Sequence, residues 1–185
     1  MSRELVILAR EGDHDAFARL AAGSIGRLNG VARLILHDTS TADDAVQDAL
    51  FEAWRSLKAL RDPERFDAWL NRLLVRACQD AWQRRSKRAL VELPLRPVDD
   101  APVGDVQATV ASADELERGL RRLTVDQRTV VVLSFYLDLP LAEVAATLGV
   151  PLGTVKSRLN RAISALRASV AADSRQPSFS SEPLA

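Results

Sequence analysis

The sequence predicts an all-α protein: two small helical domains joined by a flexible linker, the C-terminal one built on a helix-turn-helix. Three observations predict it. Apolar residues recur every three to four positions through both halves of the chain, the period of a helix face. Helix-start signals stand before several of these stretches: a Ser, Thr or Asp followed at the right offset by an acid, an amide or a proline. Between the halves lies an aperiodic run with Pro94, Pro97, Pro102, Gly104 and several aspartates, which reads as a linker. The expected boundaries are a first domain at 1–88, a linker at 89–111, a second domain at 112–170 and a disordered, Ser- and Pro-rich tail at 171–185.

The elements follow in order. Asp13 caps a first helix that is expected to reach Gly23, with Phe17 and Leu20 inward. A second helix runs from Ile25 to Leu36 on Leu28, Val31, Ala32 and Ile35. Thr41 and Asp44 form a capping box for a third helix, which extends to Leu60 on Val46, Ala49, Leu50, Ala53, Trp54 and Leu57. Asp62 and Pro63 are an N-cap and N1 pair. The helix behind them buries Phe66, Trp69, Leu70, Leu73, Ala77 and Ala81 and ends in Arg84, Arg85 and Lys87, cations suited to a helix C-terminus. After the linker, Ser112 and Glu115 form another box, with Leu116, Leu120 and Leu123 inward. Thr124 and Gln127 open a helix through Leu137, Pro140 opens a short one to Leu148, and Gly149 ends it. A last helix runs from Leu152 to Val170.

Composition narrows the function. Nearly half of the 185 residues are apolar, enough for two modest cores. No apolar run approaches the roughly 18 residues of a membrane span, and Met1 to Arg10 lacks the apolar stretch of a signal peptide. The lone Cys78 forms no internal disulfide, which suits a reducing cytoplasm, and excludes a cysteine-based zinc site within the chain. The formal net charge is zero, but the charges are segregated. Arg84, Arg85, Lys87 and Arg88 form one basic cluster, and Lys156, Arg158, Arg161 and Arg167 a second with no acid between Thr154 and Val170. Acids gather at Asp43, Asp44, Asp48 and Glu52, and again in the linker region.

The sharpest local signal spans Leu141 to Arg161. A helix-turn-helix brings two short helices close at a steep angle, so it needs a small residue on the first helix and a turn residue tolerant of positive φ. Ala145 and Gly149 supply them, and Val155 seats the second helix. Its outer face is Thr154, Lys156, Ser157, Arg158, Asn160 and Arg161: hydroxyl, amide and cationic groups that bind phosphates and base edges. A plain helical hairpin would mix acids into that face, and this one has none. In the first domain, Arg72, Arg76, Gln79 and Gln83 share one helix face, with Trp82 near it. Such a face could grip a backbone and stack on unpaired bases, or be an ordinary solvated face; spacing alone leaves both open. The acidic face of Asp44, Gln47, Asp48 and Glu52 repels DNA. From spacing alone a solubilising face is the simpler reading, and a protein-docking surface the alternative. A metal site there is weakly supported, because no histidine or further acid converges on Asp44 and Asp48.

These segments resemble a known family, the extracytoplasmic-function sigma factors of bacterial RNA polymerase. Ala42 to Trp54, ADDAVQDALFEAW, is similar to the family's polymerase-binding segment, A-E-D-L-V-Q-E-x-F-x-x-A-W. Arg65 to Arg85 resembles F-x-x-W-L-x-R-I-x-x-N-x-x-x-D-x-x-R-R, matching at Phe66, Trp69, Leu70, Arg72, Asp80 and Arg84, with Arg76 where the family usually has Asn. Leu123 to Arg167 resembles the promoter-upstream domain, GTVKSRL at Gly153 to Leu159 most of all; Pro140 stands where Ser or Thr is frequent.

The resemblance implies a transcription initiation factor, not an enzyme, with no cofactor and no metal. Asp44, Gln47, Asp48 and Phe51 would bind core polymerase at the β′ clamp helices, the β subunit being a further partner. Arg61, Arg65, Arg72, Arg76, Gln79, Gln83 and Arg84 would hold the melted −10 element, and Thr154, Lys156, Ser157, Arg158 and Arg161 the duplex −35 element. An anti-sigma factor would regulate it. A linker of about 25 residues reaches at most about 85–90 Å. Elements about 17 base pairs apart are separated by about 58 Å, within that reach. A rival, a helix-turn-helix regulator acting alone, leaves the acidic and aromatic-basic helices unexplained and lacks a dimerisation helix. An enzyme is a poor fit, since His14 and His37 are isolated and no phosphate loop occurs. A pure interaction module would leave the basic helices without a task.

Overall fold

The computed structural model describes residues 3–91 and 117–173. Within them the regular structure is entirely helical. The first domain contains α1 (Arg3–Glu11), α2 (His14–Leu36), α3 (Thr39–Ser56) and α4 (Phe66–Val91). The second contains α5, described over residues 117–121, then α6 (Val125–Val131), α7 (Leu141–Leu148) and α8 (Leu152–Asp173). The expected Ser112–Glu115 box, most of the linker and the tail beyond 173 lie outside the described residues.

Local chemistry sets most of the helix starts. Asp13 caps α2 by accepting from the Ala16 N–H at 3.0 Å. Asp62 accepts from Glu64 N–H at 3.0 Å with Pro63 behind it, opening one tight turn before α4. Thr124 and Gln127 exchange both bonds of a capping box, at 3.0 and 3.3 Å. Gly149 ends α7 at φ 66°, the left-handed conformation that glycine adopts without strain.

Four expectations need correction. The chain has a helix before Asp13: α1 buries Val6 and Ala9 against the bundle. The break expected at Gly23 does not occur, and α2 is one 23-residue helix. Its buried stripe of Ala16, Leu20, Ser24, Leu28, Val31 and Ile35 passes straight through. Gly23 sits on the exposed side, where glycine costs only about 1 kcal/mol relative to alanine. Asp38 rather than Thr41 caps α3. Its carboxylate accepts from Ser40 and Thr41 N–H at 3.0 and 3.3 Å and from the Thr41 hydroxyl at 2.9 Å, so Thr41 lies inside the first turn as a donor to the cap. The core face of α4 is rotated from that expected: Leu70, Leu74 and Cys78 are fully buried, while Trp69, Leu73 and Ala77 lie at its edge. Smaller differences sit at helix ends. α4 runs to Val91, four residues past Lys87, and α8 to Asp173, three past Val170; α3 gives way to a 3-10 turn at Leu57–Ala59, and α6 passes into a π-helical turn at Val132–Tyr136.

The first core is a bundle of α1–α4 centred on Leu20, Leu28, Ile35, Leu70 and Leu74. Arg27 of α2 ties it to α4 through Asn71 Oδ1 and, at 2.9 Å, Asp67 Oδ1. The second domain has one cluster around Val130, Leu133, Val144 and Val155, and another around Leu120, Leu123, Val131 and Ala162. The two domains touch. α7 packs on α4, and α6 with its π-helical continuation packs on α2.

Candidate nucleic-acid interface

α3 presents an acidic outer face because its buried stripe, Ala42, Ala45, Val46, Ala49 and Ala53, is made of small residues that seat it flat on the bundle. Asp44, Gln47, Asp48 and Glu52 are all exposed, and Phe51 projects at 63% exposure with the Arg55 guanidinium 5.7 Å from its ring centroid. A phenylalanine this exposed among acids is unusual for a merely solubilising face. Trp54 packs against His14 and Phe17, at 4.6 and 5.0 Å between centroids with the rings tilted, which ties α3 to α2. At the N-terminus of α3, burial raises the Asp38 carboxyl. The Thr41 hydroxyl and N–H, the Arg85 charge 2.8 Å away and the Ser40 N–H outweigh burial and hold it below its ordinary value.

The polar face of α4 lies beside this acidic one. Arg72, Arg76, Gln83 and Arg84 are exposed and Gln79 is half-buried. Arg61 and Arg65 stand exposed in the segment leading into α4, Arg65 beside Asp62 at 3.5 Å. Trp82 is 43% exposed on the same helix. The α3 and α4 faces meet in an open groove, lined among others by Asp48, Phe51, Arg76, Asp80 and Arg84. Across it Arg84 bonds Asp48 at 3.2 Å. The sequence assigned those two residues to separate surfaces, and the fold makes them one.

In the second domain α8 crosses α7, with Val155 fully buried at the crossing and Ala145 beneath it. Lys156, Asn160 and Arg161 face solvent, and Thr154 is half-buried. Ser157 is half-buried too, its hydroxyl donating to Thr154 O at 3.0 Å. Arg158 differs from the expectation of a free outer residue. Its Nη2 lies 2.5 Å from Asp126 Oδ2 on α6, and its side chain is only 23% exposed. The face is free of acids along α8, as the sequence reads, but not in space.

Sequence reasoning missed Arg128. It lies within α6 next to a valine run, is 8% exposed, and donates to three backbone carbonyls: Leu120 at 3.1 Å, Leu123 at 3.0 Å and Ile35 at 2.5 Å. Burial, then the Arg121 charge, lowers it to about 10, so it stays cationic at neutral pH. A charged residue inside an apolar helical stretch was the signal available. Burial likewise pushes the Cys78 thiol up to about 12, so it is no nucleophile. Among the described residues no group of His, Cys, Asp or Glu is arranged to hold a metal, and no helix is long and apolar enough to cross a membrane.

Comparison with known proteins places two family models on these two domains. The description "Sigma-70 region 2" matches residues 24–88, and "Sigma-70, region 4" matches residues 113–166. The ECF RNA polymerase sigma factor SigM of Mycobacterium tuberculosis is 39% identical over 160 residues, which are 86% of this chain and 79% of that protein. Among solved structures, CnrH in complex with the cytosolic domain of CnrY matches with a TM-score of 0.67 at 29% identity, covering 92% of this chain and 97% of that one. The sigma factor RpoE of Bartonella quintana, in complex with the anti-sigma factor NepR, gives the same TM-score at 23% identity over 85% and 98%, a likeness of fold.

Proposed function

The chain belongs to the extracytoplasmic-function family of RNA polymerase sigma factors, and on that premise we propose how its surfaces divide the work of transcription initiation. It binds core RNA polymerase and directs it to promoters. The observation that carries the division of labour is the separation of chemistry between helices. An acidic face with one exposed aromatic lies on α3, a mixed arginine–amide face on α4, and a cationic outer face on α8.

Asp44, Gln47, Asp48 and Phe51 form the contact with core polymerase at the β′ clamp helices. The acids supply complementarity to a basic partner and Phe51 the apolar anchor. Arg61, Arg65, Arg72, Arg76, Gln79, Gln83 and Arg84 hold the melted −10 element, the arginines on phosphates and the amides on exposed base edges. Thr154, Lys156, Ser157, Arg158 and Arg161 engage the −35 element, since the second helix of such a motif enters the major groove. The chain works in the cytoplasm beside polymerase and performs no chemistry itself. CnrH, captured with the cytosolic domain of a second protein, supports regulation by an anti-sigma factor.

Run-off transcription with core polymerase and a promoter library, with and without the full chain, tests this reading. Transcripts that depend on the chain and start downstream of a shared pair of elements are expected. Transcription indifferent to its presence overturns the assignment, and tight specific binding to duplex DNA without polymerase would favour a self-sufficient regulator.

A further inference from the structure

Asp48 and Arg84 serve different partners in the division of labour above, yet they hold each other. Arg84 Nη2 lies 3.2 Å from Asp48 Oδ2 across the groove between α3 and α4. Their side chains are 58% and 57% exposed, so the pair stands in water and each member can be reached from outside. The groove encloses about 490 Å³, the size of a ligand cleft, and Phe51, Glu52, Arg76 and Asp80 also line it. The next residue, Arg85, is placed differently. Its partner Asp38 is committed to capping α3 and belongs to neither proposed contact. Arg84 instead takes its acid from the polymerase-binding set.

One pair cannot serve three roles at once. A guanidinium bonded to a carboxylate must release it before it can fork onto a phosphate. A carboxylate that already accepts from an arginine offers less charge to a basic protein surface. The two partners therefore compete with the pair from opposite sides: phosphates take Arg84 from Asp48, and a basic surface takes Asp48 from Arg84. We propose that Asp48 and Arg84 form an ionic latch in the free chain, and that whichever partner takes one residue releases the other for the second partner. Binding of polymerase and of the −10 strand is thereby coupled, and such coupling is reciprocal. An exposed pair is weak, so the latch shifts each affinity by about twofold to fivefold and yields readily to either partner. The pairing stands on the geometry alone; its role as a coupler rests on the assignment of α3 to polymerase and α4 to DNA.

The test uses the full chain and two probes at low salt, where exposed charges are least screened. Affinity for core polymerase is titrated by fluorescence. Affinity for a labelled oligothymidylate of about 12 nucleotides, within the usual span of single-stranded sites, is read by anisotropy. Arg84→Gln should bind core several-fold more tightly than the parent, and Asp48→Asn should bind the oligonucleotide several-fold more tightly, both at unchanged helicity. Each gain should vanish when the other residue is already replaced. Arg84→Gln then adds nothing to core binding in an Asp48→Asn chain, and Asp48→Asn adds nothing to oligonucleotide binding in an Arg84→Gln chain. Removing a charge also changes the general field, so two neighbours in the same groove serve as controls: Arg76→Gln in the core titration and Glu52→Gln in the oligonucleotide titration. Gains no larger than those of the controls, or gains that persist in the doubly substituted chain, overturn the latch. With a parent that binds core, absence of either gain overturns it as well. A parent that does not bind core overturns the assignment of α3 instead, and the oligonucleotide titration still judges the pairing.

Discussion

At the scale of single residues, the ion pair between Arg158 and Asp126 changes what α8, proposed above to engage the −35 element, can offer. A guanidinium held 2.5 Å from a carboxylate must give up that partner before it grips guanine with two bonds. Lys156 and Arg161, both exposed, carry no such debt. Replacing either by Ala should change stability by no more than about 0.5 kcal/mol, as at other surface sites. Loss of a phosphate contact weakens all upstream sequences together, whereas loss of a base contact costs about 1–3 kcal/mol on the preferred sequence alone. Asp126→Asn frees Arg158 and removes a negative charge from the DNA side, so the holoenzyme should use −35-dependent promoters more strongly. Weaker use of them, with the fold intact, would contradict this role for Arg158. On the acidic face, reversing Asp44 and Asp48 together to Arg should lower affinity for core polymerase and flatten its loss with salt. The reversal at Asp48 also breaks the bridge to Arg84, so folding is checked separately by thermal melting. Unchanged core affinity in a titration would remove α3 from the contact.

At the scale of elements, α3 shows how one side chain positions a binding surface. Asp38 satisfies two N–H groups at the start of α3, receives the Thr41 hydroxyl and pairs with Arg85 of α4 at 2.8 Å. It thus sets where α3 begins and, through α4, how the acidic and arginine–amide faces are aligned. Asp38→Ala should cost about 0.5–2 kcal/mol in urea unfolding, the range for a lost N-cap. Asp38→Asn keeps an acceptor for the cap and loses only the charge toward Arg85, so its cost should be smaller. Equal losses for the two variants would show that the ion pair, not the cap, matters most.

For the whole molecule, the junction between domains carries a built-in dependence on pH. His37 ends α2 at φ 53°, and its Nε2 is buried without a hydrogen-bond partner. The charged groups around it, Arg128, Arg121 and Glu117, all come from the second domain. Burial, then the two arginines, lowers it from 6.5 to about 4, against smaller opposing contributions from Glu117 and the Leu120 backbone. The docked chain therefore holds the ring neutral, while a ring released to water takes up a proton near pH 6.5. Docking should keep its full strength above pH 6.5 and lose it as pH falls from there toward 4. Distances between spin labels at Arg19→Cys on α2 and Arg167→Cys on α8, measured from pH 7.5 down to 5, should lengthen, and His37→Gln should flatten the response. A response that persists unchanged in His37→Gln would assign it to other groups.

The sequence by itself determined most of the helices, several of their caps and the chemistry of their outer faces. Asp13, Asp62 with Pro63, the Thr124–Gln127 box and Gly149 act within a single turn, so their signals are complete in a few neighbouring residues. The outer faces of α3, α4 and α8 were legible for a related reason: residues on one side of a helix are fixed by spacing alone. Only the tertiary structure decided which of those residues meet. The continuity of α2 past Gly23 depends on a bundle that buries the opposite side of the helix. Asp48 meets Arg84 across 36 positions of chain, and Arg128 reaches Ile35 across 93. Val75 reads as one more apolar residue of α4 until α7 covers it. Such pairings are settled by how packed helices cross, and by the cost of leaving a buried donor or carbonyl unmet. No window of local sequence contains either term.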